Sequence, residues 1–164
     1  MNEHFSQETK DLISESRLIA INLGHDYIST LHFFLADCKL NDRFTIINLF
    51  FQKSEDFLNF YNAQKTICAG IYLDNIHLTL ECEMTLKRAF KLWKTKNYPD
   101  AKIYPYHLFL AASMMKETTF YLIFDNKEDV FQRVERYYFD IGQLKPENKN
   151  VGIWASLKKK LFNK

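Results

Sequence analysis

Glycine and proline are scarce in this chain of 164 residues, at four and three copies. Sandwiches and barrels spend many such residues on turns, so the scarcity argues against them and for helices joined by short loops. Cysteine is equally thin. Cys38, Cys68 and Cys82 are odd in number and lack CxxC spacing, which fits reduced, half-buried thiols of a cytoplasmic protein and not a disulfide framework. No uninterrupted apolar run approaches the ~18–20 residues that cross a bilayer. The start, Met1-Asn2-Glu3-His4, has no basic-then-apolar signal pattern, so stable membrane insertion is not expected. Charge of one sign is not in excess either, with 22 Lys and Arg against 20 Asp and Glu. Basic residues concentrate only at Lys158, Lys159, Lys160 and Lys164, too little to imply nucleic acid as a partner. A GxxxxGK[ST] loop is absent, and with it a cradle for nucleotide phosphates. The five histidines show no HxxH or HxxxH spacing and no thiol-histidine zinc pattern, so no metal or cofactor is expected.

Apolar and aromatic side chains are abundant. The hydrophobic fraction is 47%, with 15 Phe and 9 Tyr, enough for a full core in a globular domain. Ser6 reads as a helix cap with Phe5 ahead of it as a staple, and Glu8 suits the first turn. Leu12, Ile13, Ser16, Ile19, Ala20 and Leu23 follow helical spacing, and Gly24 closes the run. Thr30 is the expected cap of a second helix over 30–39, apolar nearly all round and therefore central. Asn41-Asp42 breaks it, and a short helix is expected over 44–51. Ser54 opens the next helix, with Phe57, Leu58, Tyr61, Ile67 and Cys68 as its stripe and Gly70 as its end. Residues 71–78 read as a linker.

The pattern then restarts. Thr79 caps a helix with Met84, Leu86, Ala89, Phe90 and Trp93 expected inward. Asn97-Tyr98-Pro99-Asp100 ends it, and Pro105 opens another near-apolar helix through Met115, at a position where proline is welcome. Short and longer helices are expected over 119–124 and 127–139. Residues 143–164 read as a polar linker and a short basic amphipathic tail helix, with Ile153, Trp154, Leu157, Leu161 and Phe162 on one face. The interval from His32 to His107 differs by two residues from that between Ser6 and Thr79, which the longer loop before Ile103 absorbs. The expectation is an all-α fold made of two pseudo-twofold repeats of four helices, residues 5–70 and 78–141, within a domain spanning 1–142.

Phe5-Ser6 and Leu23-Gly24-His25-Asp26-Tyr27-Ile28-Ser29-Thr30-Leu31-His32-Phe33-Phe34-Leu35 resemble a repeat of the Clp N-terminal (Clp repeat) domain, carried by Clp-type AAA+ unfoldases. That repeat runs Phe-Thr, a helix, then Leu-Gly-His-Asn-Tyr-Ile-Gly-Thr-Glu-His-Leu-Leu-Leu. The second copy keeps Leu78-Thr79 and Tyr106-His107-Leu108-Phe109-Leu110 and is otherwise degenerate. The resemblance covers roughly residues 4–141 and implies an all-α pseudo-twofold domain that docks adaptors and substrates. The family's glutamate between Thr and His is Leu31 here, and Tyr106 in the second copy. In some relatives those glutamates recognise phosphoarginine, and Leu or Tyr cannot pair with a guanidinium.

The residues thus point to a non-enzymatic, cytoplasmic protein-binding module. Phe5, Tyr27, Leu31, Tyr104 and Tyr106 are its candidate partner-facing residues. Gly24, Thr30, His32 and His107 are assigned structural roles in loops and caps, the two imidazoles being placed to bond loop carbonyls. The resemblance implies a peptide, an adaptor, a Clp ATPase or protease ring, or a secretion-sheath helix as partner. The alternative is the N-terminal domain of a larger unfoldase of the ClpV or ClpC type; a stand-alone relative of the ClpT type is the other form. A thiol hydrolase is the enzymatic rival, but a cysteine on an apolar helix face ordinarily acts as a small buried hydrophobe.

Overall fold

The computed structural model describes residues 2–40, 54–65, 76–95, 102–122 and 130–140, and these are mostly helical. A 3-10 turn, Asn2–His4, leads into α1, Gln7–Leu23. Ser6 caps α1: its backbone is extended, and its hydroxyl accepts the Thr9 N–H at 3.1 Å. Thr9, Leu12, Ser16, Ile19, Ala20 and Leu23 form the buried face. The helix stops at Gly24, whose φ of 79° is left-handed. A side chain there would cost roughly 1–2 kcal/mol. The Gly24 N–H donates to Ile21 and the His25 N–H to Ala20, at 3.0 and 2.9 Å, the paired bonds of a Schellman ending.

Next come β1 (Tyr27–Ile28), α2 (Thr30–Leu40) and α3 (Ser54–Ala63). They are followed by β2 (His77–Leu78), α4 (Leu80–Trp93), α5 (Pro105–Ser113), α6 (Thr119–Leu122) and α7 (Val130–Asp140). Helix α2 is buried continuously from Thr30 to Asp37, and α5 from Tyr106 to Ser113. These are the central helices, as their unbroken apolar character requires. Helix α1 packs on α2, α4 and α7 pack on α5, and α6 lies against both central helices. Phe33, Phe34, Leu108, Phe109, Leu110 and Phe120 are essentially inaccessible to water. Each such burial stabilises the fold by about 1.5–3 kcal/mol.

Two short parallel pairings join the chain's distant parts. β1 pairs with β2, Tyr27 opposite His77 and Ile28 opposite Leu78. Phe5 forms a parallel bridge with Ile103. The Thr79 N–H donates to the Ile28 carbonyl and the Ser6 N–H to the Ile103 carbonyl, both at 2.9 Å. The residue ahead of α1 is thereby tied to the loop ahead of α5, and the residues ahead of α4 to the loop ahead of α2.

Several expectations change. The segment expected as a linker over 71–78 contains β2, because His77 and Leu78 find backbone partners in β1. Helix α3 ends at Ala63 and not at Gly70, closing through the Gln64 N–H to Tyr61 and the Lys65 N–H to Asn62. In α4 the buried stripe is Cys82, Thr85, Ala89 and Leu92, while Met84 is exposed and Leu86, Phe90 and Trp93 are half-buried. Small side chains let α4 approach α5 closely, and the large aromatics flank that contact, where Phe90 and Trp93 meet the His4 ring. The expected helix over 44–51, the residues Ile67 and Cys68, and the tail helix lie outside the described residues.

Candidate functional site

The loop between α1 and α2 brings His25 into contact with His32, in the first turn of α2. The Ser29 N–H donates to His32 Nδ1 at 2.8 Å. On the far side of the ring, His32 Nε2 lies 2.8 Å from His25 Nδ1, and His25 Nε2 lies 2.8 Å from the Gln64 carbonyl just past α3. Both rings are buried, and Tyr27 stacks on His25 at 5.2 Å. Burial first, and then the neighbouring His25, hold the His32 pKa at about 4, against 6.5 ordinarily. His107 meets its own loop in the same way, its Nδ1 accepting the Tyr104 N–H at 3.0 Å. Both rings therefore accept from loop amides, where carbonyl partners were expected, because each stands at the third position of its helix and reaches back over the open first turn.

Thr30 corrects a second expectation. Its hydroxyl does not cap α2; it accepts the Phe120 N–H of α6 at 2.8 Å. In exchange, Thr119 Oγ1 accepts the Leu31 N–H at 3.2 Å. Glu81, in the first turn of α4, reaches both threonines. Its Oε1 accepts from the Thr30 N–H (2.8 Å), Thr30 Oγ1 (3.1 Å) and Thr119 Oγ1 (2.6 Å), and its Oε2 from the Thr119 N–H (2.6 Å). One carboxylate thus closes the amino ends of α2 and α6, where a negative charge complements both helix dipoles.

Of the five residues expected to face a partner, Phe5, Leu31 and Tyr106 are buried. Phe5 is held by its bridge to Ile103. Leu31 belongs to the central core, and Tyr106 stacks on His107 at 3.9 Å and meets Tyr138 of α7 at 5.8 Å. Tyr104 is half-buried, parallel to Tyr106 at 6.3 Å. Only Tyr27 is exposed, at 43%. Beside it in the β1–β2 pairing stands His77, also exposed, followed by Leu80 at 72% exposure and, one turn along α4, Met84 at 39%. Gly24 serves as the left-handed stop described above.

His25, Ser29, Glu81 and Thr119 had no assigned role from sequence, nor did His77 and Leu80, and Met84, expected inward, is exposed. An acid in the first turn after Thr79 was visible, but its partners lie 38 and 51 residues away. The two described thiols, Cys38 and Cys82, are poor nucleophiles. Burial, with Thr79 opposing it, raises Cys82 to about 12, and burial beside Asp37 raises Cys38 further. Among the described residues no three His, Cys, Asp or Glu side chains are grouped to hold a metal ion, and no helix is long and apolar enough to cross a membrane. No family model matches the chain, and no curated protein matches it.

Proposed function

We propose that the chain is a non-enzymatic protein-binding module related to the adaptor- and substrate-docking domain of Clp unfoldases, recognising a peptide, a helix or a component of a Clp machine. The reciprocal pairing carries this reading. Ser6 bonded to Ile103 and Thr79 bonded to Ile28 are the same contact made twice, with the two parts of the chain exchanged. Ile28 to Ile103 and His32 to His107 keep one interval in sequence, two residues longer than that from Ser6 to Thr79. Ile28 and Ile103 supply the accepting carbonyls, and His32 on Ser29 matches His107 on Tyr104. This matched set supports two copies of one helix-loop-helix unit, residues 5–70 and 78–141, facing each other about a pseudo-twofold axis. It also supports the resemblance, since Gly24, His25, Tyr27, Ile28 and His32 belong both to the motif and to the bonded loop.

The surface that fits a partner is the patch around β1 and β2: Tyr27, His77, Leu80 and Met84. An aromatic ring and two flexible aliphatic side chains in a polar frame suit the apolar face of a partner helix. The buried Cys82 and the half-buried Cys38, both held protonated, speak against the hydrolase reading.

The test immobilises the full chain and exposes it to a purified Clp-type ATPase ring and, separately, to a Clp protease ring. Binding is expected in one arm, with affinity reduced about tenfold or more by the double variant Tyr27→Ala/Leu80→Ser, a loss usual for an aromatic anchor and its neighbour. Failure to bind either ring, or binding indifferent to the double variant, removes this reading.

A further inference from the structure

We propose that His25 and His32 form a proton-released latch that holds the end of α3 against the loop between α1 and α2. The geometry admits one arrangement of protons. Because the Ser29 N–H donates to His32 Nδ1, that nitrogen is bare and the His32 proton sits on Nε2. The Nε2–H then donates to His25 Nδ1, which places the His25 proton on Nε2, directed at the Gln64 carbonyl. Each ring donates once and accepts once, and three bonds of 2.8 Å run in series from Ser29 to Gln64.

An additional proton has two places to enter. At His25 Nδ1 it would confront the His32 Nε2–H, setting two donors head to head. At His32 Nδ1 it would confront the Ser29 N–H. Ser29 Oγ, 3.0 Å from that nitrogen, is positioned to take the proton, but the Ser29 N–H would then be stranded in a buried site. Either entry breaks the series, so the latch exists only with both rings neutral.

The surroundings disfavour a charge on His32. His32 is completely buried and His25 nearly so. The titratable groups beside the pair are few. Tyr27, on the same loop, stacks on His25 and meets His32 edge-on at 5.9 Å, and the neighbouring Asp26 is exposed. From α3, Tyr61 is half-buried, and Lys65 is exposed with its ammonium over the Tyr61 ring. Helix α1 ends at the loop through the Gly24 and His25 N–H groups, bonded to the Ile21 and Ala20 carbonyls, and from β2 the exposed His77 stands opposite Tyr27. Among the described residues no charged group bonds either ring.

The direction of control follows. In the closed form His32 takes a proton only near pH 4. Opening exposes the ring, which then regains its ordinary value of 6.5, so protons bind the open form first. The latch is fully closed above pH 6.5 and is progressively released as pH falls toward 4. What it releases is the last turn of α3, whose Phe60 and Tyr61 are packed half-buried against the core, together with the loop that presents Tyr27.

Amide hydrogen exchange on the full chain at pH 7.5 and 5.0, corrected for intrinsic rates, tests this. Protection of the Tyr61, Asn62 and Gln64 amides is expected to fall about tenfold or more at the lower pH, while α5 amides hold. In His25→Phe the same amides are expected to be weakly protected at both pH values. Unchanged protection at pH 5.0, an equal loss in α5, or the same pH response in His25→Phe overturns the latch. Should that variant not fold, imidazole nitrogen NMR of the unaltered chain at pH 7.5 decides. Protons on His32 Nε2 and His25 Nε2 support the latch, and a proton on His32 Nδ1 overturns it.

Discussion

Glu81 holds together parts of the chain that its sequence neighbours cannot reach. Its carboxylate accepts four hydrogen bonds from Thr30 and Thr119. Both helix starts would lose their acceptor in Glu81→Ala, and the threonine amides would have no replacement. We expect a stability loss of about 2–3 kcal/mol, read as a lower urea midpoint with the slope retained, and partial recovery in Glu81→Gln, which keeps one accepting oxygen. A loss below about 0.5 kcal/mol would mean that water replaces the carboxylate without penalty. Leu31 and Tyr106 teach a related lesson. The motif marks them as positions where a charge is missing, and both are buried. A helix apolar on every side carries no periodic signal of which residues face outward. Their place in the first turn therefore read as surface, although the turn itself is enclosed.

Helix α6 is only four residues long, yet it completes the core. Phe120 is fully buried, edge-on to Phe34 at 5.9 Å and tilted against Phe109 at 5.6 Å, so it bridges the two central helices. Phe120→Ala should cost about 3–5 kcal/mol in thermal or urea unfolding, the range for deleting a buried ring and leaving a cavity. Leu80→Ser, at a position 72% exposed, should change stability by no more than about 0.5 kcal/mol. Together these separate a residue that builds the fold from one left free for a partner. Helix α4 shows how far periodicity reaches. Its cap at Thr79 was legible, because a threonine ahead of an acidic first turn has a local reason to stop the preceding chain. Its buried face was legible only in part: Ala89 was expected inward and is, but large side chains outweighed Cys82 and Thr85 in the pattern, whereas close helix packing favours the small residues.

The molecule as a whole is held by contacts between its two parts. Ser6 needs Ile103, Thr79 needs Ile28, and Thr30 needs both Glu81 and Thr119. A fragment of residues 1–74 and one of residues 75–141 should each lack cooperative unfolding alone and regain helical structure and dispersed amide spectra on mixing. A fragment that folds independently would show that the reciprocal pairing is dispensable. The interval shared by the His32 and His107 loops was visible from sequence because equal spacing needs no knowledge of the fold.

Local chemistry settled the helix caps at Ser6 and Thr79, the stop at Gly24, the proline opening of α5 and the central place of α2 and α5. Each follows from a residue's own conformational freedom or from a pattern within a few turns. The reach of Glu81, the His25–Gln64 bond, the pairing of β1 with β2 and the burial of Phe5, Leu31 and Tyr106 belong to the assembled fold. Their partners lie tens of residues away, 39 in the case of His25 and Gln64, and only packing brings them within bonding distance. A short window of sequence records which groups can form such bonds, and the closed core selects those that do.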